Sequence, residues 1–277
     1  MKMIDIHVHT EFTLERLLSI HGSFKDLDLT KEKFLEDIKS LSIEYAFSIG
    51  KKDGMIRNFF DDTTTASTGS LVEEQGQHPF LKRIIAASLT DGGNLNQARM
   101  FLEKNLVEGI KIYLGYSVPK ADDERLKPYY ELASEFQKPV LLHTGECYKS
   151  GKNVSPKEVI SVLERYAKQK FVLCHFGYPL VKDLEEVVTA FDNAFTDLSG
   201  LMTYEDVCNG EAETRLEDTK ASLDSILNNP KTSDKVMYGS DYPLISLKQY
   251  YGMIKRIVPE GFHEKVFYKN AKEFFNL

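Results

Sequence analysis

The segment Met3-Ile4-Asp5-Ile6-His7-Val8-His9 sets two imidazoles two residues apart on an apolar stretch. In an extended strand residues i and i+2 share a face, so His7 and His9 point the same way. Two neutral imidazoles held side by side make half of a transition-metal site, because each offers a nitrogen lone pair without first losing a charge. The other half has to come from elsewhere in the chain. Taken alone, such a pair is more often two buried, hydrogen-bonded histidines.

Further candidates follow short apolar runs. His143 closes Val140-Leu141-Leu142-His143, His175 closes Val172-Leu173-Cys174-His175, and Asp241 follows Met237-Tyr238-Gly239-Ser240. Singly, either histidine reads as a core-edge residue bonded to a backbone carbonyl, and the aspartate as a helix cap or turn residue. Together they form a pattern, and only His21, His78 and His263 fall outside it. Three imidazoles and a carboxylate suit a divalent transition metal, Zn2+ first, with Mn2+ and Fe2+ as alternatives. An open coordination position lowers the pKa of bound water toward neutrality and makes hydroxide available as a nucleophile. Asp241 beside that water can accept its proton, and His175 can stabilise or protonate the developing oxyanion or leaving group.

Something must bring these residues to one place. Apolar, β-branched runs alternate with helical periodicity along the chain, the pattern of repeated βα units. Eight strands are predicted, over Met3 to His9, Ile43 to Ile49, Arg83 to Leu89, Gly109 to Leu114, Pro139 to His143, Phe171 to His175, Ala194 to Ser199 and Lys235 to Ser240. Between them Phe34, Leu35, Ile38 and Leu41 share a helical face, as do Leu95, Ala98, Leu102 and Leu106, and Val159, Ile160, Leu163 and Tyr166. Ser155-Pro156-Lys157-Glu158 supplies an N-cap oxygen, a proline at the first helical position and a carboxylate three residues on. Lys51 to His78, rich in Thr, Ser and charge, reads as an extended loop over the site or a partly disordered one. The expectation is an α/β chain forming a single domain over residues 1–277, a (β/α)8 TIM barrel whose active site lies at the C-terminal ends of the strands.

A formal charge of -7, with no long run of Lys and Arg, argues against nucleic acid as partner and leaves a small-molecule substrate as the default. No stretch approaches the roughly 18 to 20 apolar residues of a membrane helix, so no membrane partner is expected. The first strand begins within three residues of Met1, so no signal peptide is expected. Cys147, Cys174 and Cys208 are odd in number and widely spaced, as reduced thiols are, and the expected compartment is the cytoplasm. No feature specifies an oligomeric state.

The motifs D-I-H-V-H-T at 5–10, G-I-K-I-Y at 109–113, P-V-L-L-H-T-G at 139–145, V-L-C-H-F-G at 172–177, F-T-D-L-S-G at 195–200, Y-G-S-D-Y-P at 238–243 and N-A-K-E-F-F at 270–275 span nearly the whole chain. In order and spacing the chain resembles the amidohydrolase superfamily, in its amidohydrolase-related branch of metal-dependent hydrolases and decarboxylases. That resemblance implies that His7, His9, His143 and Asp241 bind the metal while His175 is the catalytic acid or base. It leaves Lys111 with two roles. In binuclear relatives a carboxylated lysine here bridges two ions and both strand-end histidines become ligands; otherwise one ion is bound and Lys111 contacts the substrate, the reading favoured here, with Tyr113 beside it. Lys51, Lys52, Arg57, Tyr113, Tyr116, Tyr148 and Lys149 are candidates to cradle an anionic or aromatic substrate, although solvated loop charges explain most such residues.

The branch implies either hydrolysis or nonoxidative decarboxylation on the same centre, and the chain's modest size and short loops favour hydrolysis of a C–O or C–N bond in a small carboxylated compound. The opening also looks like the polymerase and histidinol phosphatase phosphoesterases, but the second late histidine of that family is missing after Asp241, where Tyr242 and Pro243 follow. A TatD-type nuclease expects a carboxylate where Lys111 stands. A barrel serving only as a scaffold would show decay of the site, and all five polar positions are intact.

Overall fold

The computed structural model describes residues 1–10, 27–51, 67–89, 93–116, 118, 120–148 and 150–277. Its strands are β1 Met3–Val8, β2 Ile43–Ile49, β3 Leu81–Ala86, β4 Ile110–Ile112, β5 Val140–Leu142, β6 Gly145–Cys147, β7 Lys152–Val154, β8 Phe171–Leu173, β9 Ala194–Asp197 and β10 Val236–Met237. All but β6 and β7 form one parallel sheet in the order β1-β2-β3-β4-β5-β8-β9-β10. The two edges meet: the Ile6 N–H donates to the Tyr238 carbonyl at 3.0 Å, Asp241 N–H to the His7 carbonyl at 2.8 Å and His9 N–H to the Tyr242 carbonyl at 2.7 Å. This is the expected (β/α)8 barrel.

Alternation along each strand sorts the core into two layers. Ile110, Ile112, Val140, Leu142, Phe171 and Leu173 face the surrounding helices. Ile4, Ile6, Phe47, Ile49, Ile84, Leu141, Val172 and Met237 fill the barrel, and Phe274 and Phe275 of the helix Asn270–Phe275 join them. The Phe275 ring lies 4.2 Å from that of Phe47 and the Phe274 ring 4.7 Å from that of Phe195, so the chain's end plugs the barrel opposite the site. Interior positions nearer the strand ends are polar instead. Lys111 points inward between two outward isoleucines.

One strand has to satisfy both layers. Ile4 and Ile6 fill the barrel, yet His7 and His9 also converge inside it, which an unbroken pleat cannot do. The β1–β2 register shifts between Asp5 and Val8, and this irregularity re-aims the two histidines.

The helical stripes are found where the spacing places them. Phe34 and Ile38 are buried on Lys31–Ser40, Ala98 and Leu102 on Leu95–Glu103, and Leu163 on Ile160–Arg165. Ser155 forms its capping box, its N–H bonded to Glu158 Oε1 at 2.8 Å and its Oγ accepting from the Lys157 N–H at 3.1 Å, though the first turn, Pro156–Val159, is a 3-10 helix. The expectation for Lys51 to His78 is corrected over its second half. Thr68–Gln77 is an α-helix with Ser67 as N-cap, and Leu71 anchors it. Residues 52–66 lie outside the described ones. The antiparallel pair β6–β7 is a feature the periodicity does not show. No described helix is long and apolar enough to cross a membrane.

Candidate metal centre

His7, His9 and Asp241 each bring a ligand atom to within 4.8 Å of the others, and all three are buried. His9 Nε2 lies 3.1 Å and His7 Nε2 3.5 Å from Asp241 Oδ1. The far side of each ring sets its tautomer. His9 Nδ1 is 3.1 Å from the Ile49 carbonyl, and a carbonyl only accepts, so Nδ1 carries the proton and Nε2 the lone pair. His7 Nδ1 lies 2.9 Å from the Asp197 carboxylate, which again directs the lone pair of Nε2 toward Asp241. That Nε2 is buried and has no hydrogen-bond partner among the described residues. A buried, unpartnered nitrogen is costly in a native core. Two aligned lone pairs and a carboxylate fit a divalent transition ion, which would satisfy it.

A second cluster, His7, Cys174 and Asp197, is equally close. Lys111 already occupies the thiol, its Nζ donating to Cys174 Sγ at 2.9 Å. Lys111 is fully buried beneath the histidines, and the Tyr113 hydroxyl donates to the Gly50 carbonyl at 2.8 Å, so neither lines the cavity above the site.

His143 stands just outside the first cluster. Its Nε2 is 3.2 Å from the Glu146 carbonyl on β6, so that nitrogen is the N–H and Nδ1 is the free donor. Its ring lies 4.5 Å from that of His175 and 4.9 Å from that of Tyr116. His175 adopts φ 65°, a left-handed conformation that costs a side-chain-bearing residue about 1–3 kcal/mol. Its backbone N–H is held by Asp197 Oδ1 at 2.9 Å, and its Nδ1 reaches Ser199 Oγ at 3.0 Å and Asp241 Oδ2 at 3.8 Å. Gly200, at φ 60°, passes so close that a Cβ there would sit 2.7 Å from both Asp241 Oδ2 and His175 Nδ1.

Burial and neighbouring charges set the protonation of these groups. Burial, and then the Lys111 charge, push His7 below the ordinary histidine range. Burial with His175 and Lys111 lowers His143 well below it, and burial brings His175 down to about 3 against the opposing pull of Asp241. Burial alone would raise Asp241, but His7, His9 and His175 outweigh it and hold the carboxyl far below the usual range. Asp197 is held down in the same way by His7 and His175. His7, His143 and His175 are therefore neutral and Asp197 and Asp241 ionised near pH 7.

A cavity of about 360 Å3 opens above this cluster, with His143, His175 and Asp241 on its lining. Tyr116, Tyr148, Tyr178, Glu146 and Arg215 also line it. Arg215 pairs with Glu146 at 2.8 Å and Asp206 at 3.1 Å and lies 4.8 Å over the Tyr178 ring. Of the cradle residues expected from sequence, Tyr116 and Tyr148 line the cavity, Lys51 is buried, and Lys52, Arg57 and Lys149 lie outside the described residues. Asp197, Ser199 and Arg215 join the site beyond the residues expected from sequence. Asp197 carries the same signal as the others, a polar break ending an apolar run, whereas Arg215, on the helix Ala212–Asn228, shows no sequence signal of its own.

The amidohydrolase family profile matches residues 71–277, and the chain belongs to that family, in its amidohydrolase-related branch. His7 and His9 precede the matched region. No curated protein matches the chain in sequence. Among solved structures, a probable 2-pyrone-4,6-dicarboxylic acid hydrolase from Acinetobacter baumannii, with citric acid bound, is 16% identical, with a TM-score of 0.66 over 100% of each chain. A 2,6-dihydroxybenzoate decarboxylase from Rhizobium is 13% identical, with a TM-score of 0.67 over 99% of this chain and 98% of that one. An amidohydrolase from Burkholderia multivorans with bound zinc is 15% identical, with a TM-score of 0.66 over 100% of each chain. At these identities the likeness is one of fold.

Proposed function

We propose that residues 1–277 form a single catalytic domain, a cytoplasmic metal-dependent hydrolase that cleaves a C–O or C–N bond in a small carboxylated substrate. The buried, unpartnered Nε2 of His7, aligned with His9 Nε2 on the Asp241 carboxylate, carries this reading. His7, His9 and Asp241 would hold the ion, with His143 offering Nδ1 beside them. Zn2+ is the first candidate, on the nitrogen-rich donor set and the zinc-bound relative of like fold. When bound, such an ion supplies Lewis acidity and lowers the pKa of water near neutrality.

The chain's own groups do the rest. Asp241, ionised and at the cavity wall, accepts a proton from the attacking water. His175, neutral at neutral pH, moves a proton at its free ring nitrogen. Arg215 is the one Lys or Arg side chain among the described lining residues, its plane fixed by Glu146, Asp206 and Tyr178, and it is the group there that would receive a substrate carboxylate. Lys111 works from beneath as a fixed charge; only if carboxylated would it become a ligand, in a centre of two ions.

A second reading, nonoxidative decarboxylation, uses the same centre and draws on the decarboxylase of like fold. The test has two parts. Elemental analysis of protein purified without chelator or histidine tag should find about one transition metal per chain. Lactones, esters and amides of small carboxylic acids are then screened, and His175→Asn should keep the metal while lowering turnover by about a hundredfold or more. Loss of metal in that variant would make His175 a ligand. Release of CO2 without net addition of water would overturn the hydrolase reading in favour of the lyase.

A further inference from the structure

We propose that Ser199 is a positioning residue that fixes the tautomer of His175, so that its ring meets the cavity with the proton on Nδ1 and the lone pair on Nε2. The proposal deepens the reading above, in which His175 moves a proton. It rests on proton counting around one hydroxyl.

Ser199 Oγ is buried and lies 2.6 Å from Asp197 Oδ1, 3.0 Å from His175 Nδ1 and 3.0 Å from His7 Nδ1. A hydroxyl has one proton to give and two lone pairs to receive with. Its contact with the carboxylate is the shortest, in the range of charge-assisted O–H···O⁻ bonds. Without a proton between them, two lone-pair-bearing oxygens would face each other at that distance. The proton cannot come from the carboxyl, because Oδ1 already accepts the backbone N–H groups of His175 at 2.9 Å and Ser199 at 3.1 Å. The hydroxyl proton is therefore spent on Asp197.

Ser199 can then only accept from the two rings. His7 Nδ1 is an N–H shared between Oγ and Asp197 Oδ2 at 2.9 Å, and His175 Nδ1 must also be an N–H. The lone pair of His175 is left on Nε2. When Nε2 takes up a proton, the Nδ1–H stays on Ser199 and no hydrogen bond is broken, so the ring gains charge without turning. Gly200, which keeps this edge of His175 free of a Cβ, leaves the contact room. The serine thus extends the buried Asp197 carboxylate, which holds the His7 ring directly, to a second imidazole that it meets through the backbone N–H of His175.

The test reads the ring directly. In Zn2+-loaded protein carrying 15N-histidine, long-range 1H–15N correlation should show His175 protonated at Nδ1 and bare or ion-bound at Nε2. Ser199→Ala should break this single-tautomer pattern and lower kcat about tenfold on any substrate turned over, with KM and metal content held. Ser199→Thr, which keeps the hydroxyl, should restore both. A His175 spectrum unchanged in Ser199→Ala overturns the proposal. Should that variant not fold, the wild-type spectrum decides by itself, since a proton on Nε2 with none on Nδ1 is equally fatal. The spectrum needs no turnover, so a failure of the hydrolase reading leaves this result legible.

Discussion

Lys111 Nζ donates to Cys174 Sγ across 2.9 Å, and both groups are fully buried under the histidine cluster. The thiol stands where a bridging carboxylate on the lysine would have to grow, and burial pushes that thiol above its ordinary range, so it stays protonated and neutral. Lys111 then acts by its charge, which helps hold His7, His143 and His175 in their neutral forms. Lys111→Met, close in volume and uncharged, should leave about one metal per chain. A fall from two ions to one in elemental analysis would make Lys111 a bridging ligand instead.

The contrast between two glycines tests how tightly the site is built. Gly200→Ala forces a Cβ to within 2.7 Å of Asp241 Oδ2 and His175 Nδ1 at φ 60°. The left-handed backbone alone costs about 1–2 kcal/mol, and displacing Asp241 and His175 adds to it, so both thermal stability and metal affinity in chelator competition should drop. Gly76, inside the helix Thr68–Gln77, has nothing within 4 Å of its would-be Cβ. Gly76→Ala should stabilise by about 0.5–1 kcal/mol and leave metal binding alone. Equal metal affinity in the two variants would mean that Gly200 is not shaping the centre.

What the sequence revealed of the site depended on where each residue sits. His7, His9, His143, His175 and Asp241 stand out because each interrupts an apolar run at its C-terminal end, and in a parallel barrel all those ends share one rim. Their partners are harder to see. Asp197 bonds His7 across 190 positions of sequence, and nothing local says which imidazole a strand-end carboxylate will hold. The register shift in β1 that turns His7 inward is a pairing property, invisible until β2 is beside it. The direction of Lys111, toward Cys174 rather than the cavity, follows from how two strands abut. Thr68–Gln77 leaves no trace in the sequence pattern because one buried residue, Leu71, gives no periodicity to read.

Freed of metal, the centre should make the protein acid-sensitive. His175 has a folded pKa of about 3 against an ordinary 6.5, so between those values the unfolded chain binds a proton that the folded one refuses. Stability is then fully present above pH 6.5 and is lost as pH falls, at up to about 1.4 kcal/mol per pH unit for each such group. His7 and His143 are shifted in the same direction, and Asp197 and Asp241, also depressed, add to the loss below their ordinary 3.8. Asp5 opposes them: burial raises it to about 7, so the folded form holds a proton there down to 3.8 that the unfolded form has given up. The three histidines, all shifted the same way, outweigh the one carboxyl as pH falls below 6.5. The Tm of chelator-treated protein should therefore fall from pH 7 to pH 5, and His175→Asn should flatten part of that slope. A Tm that holds or rises over this range would show that the imidazoles are charged in the fold, and that the lone pairs assigned to the metal are not available.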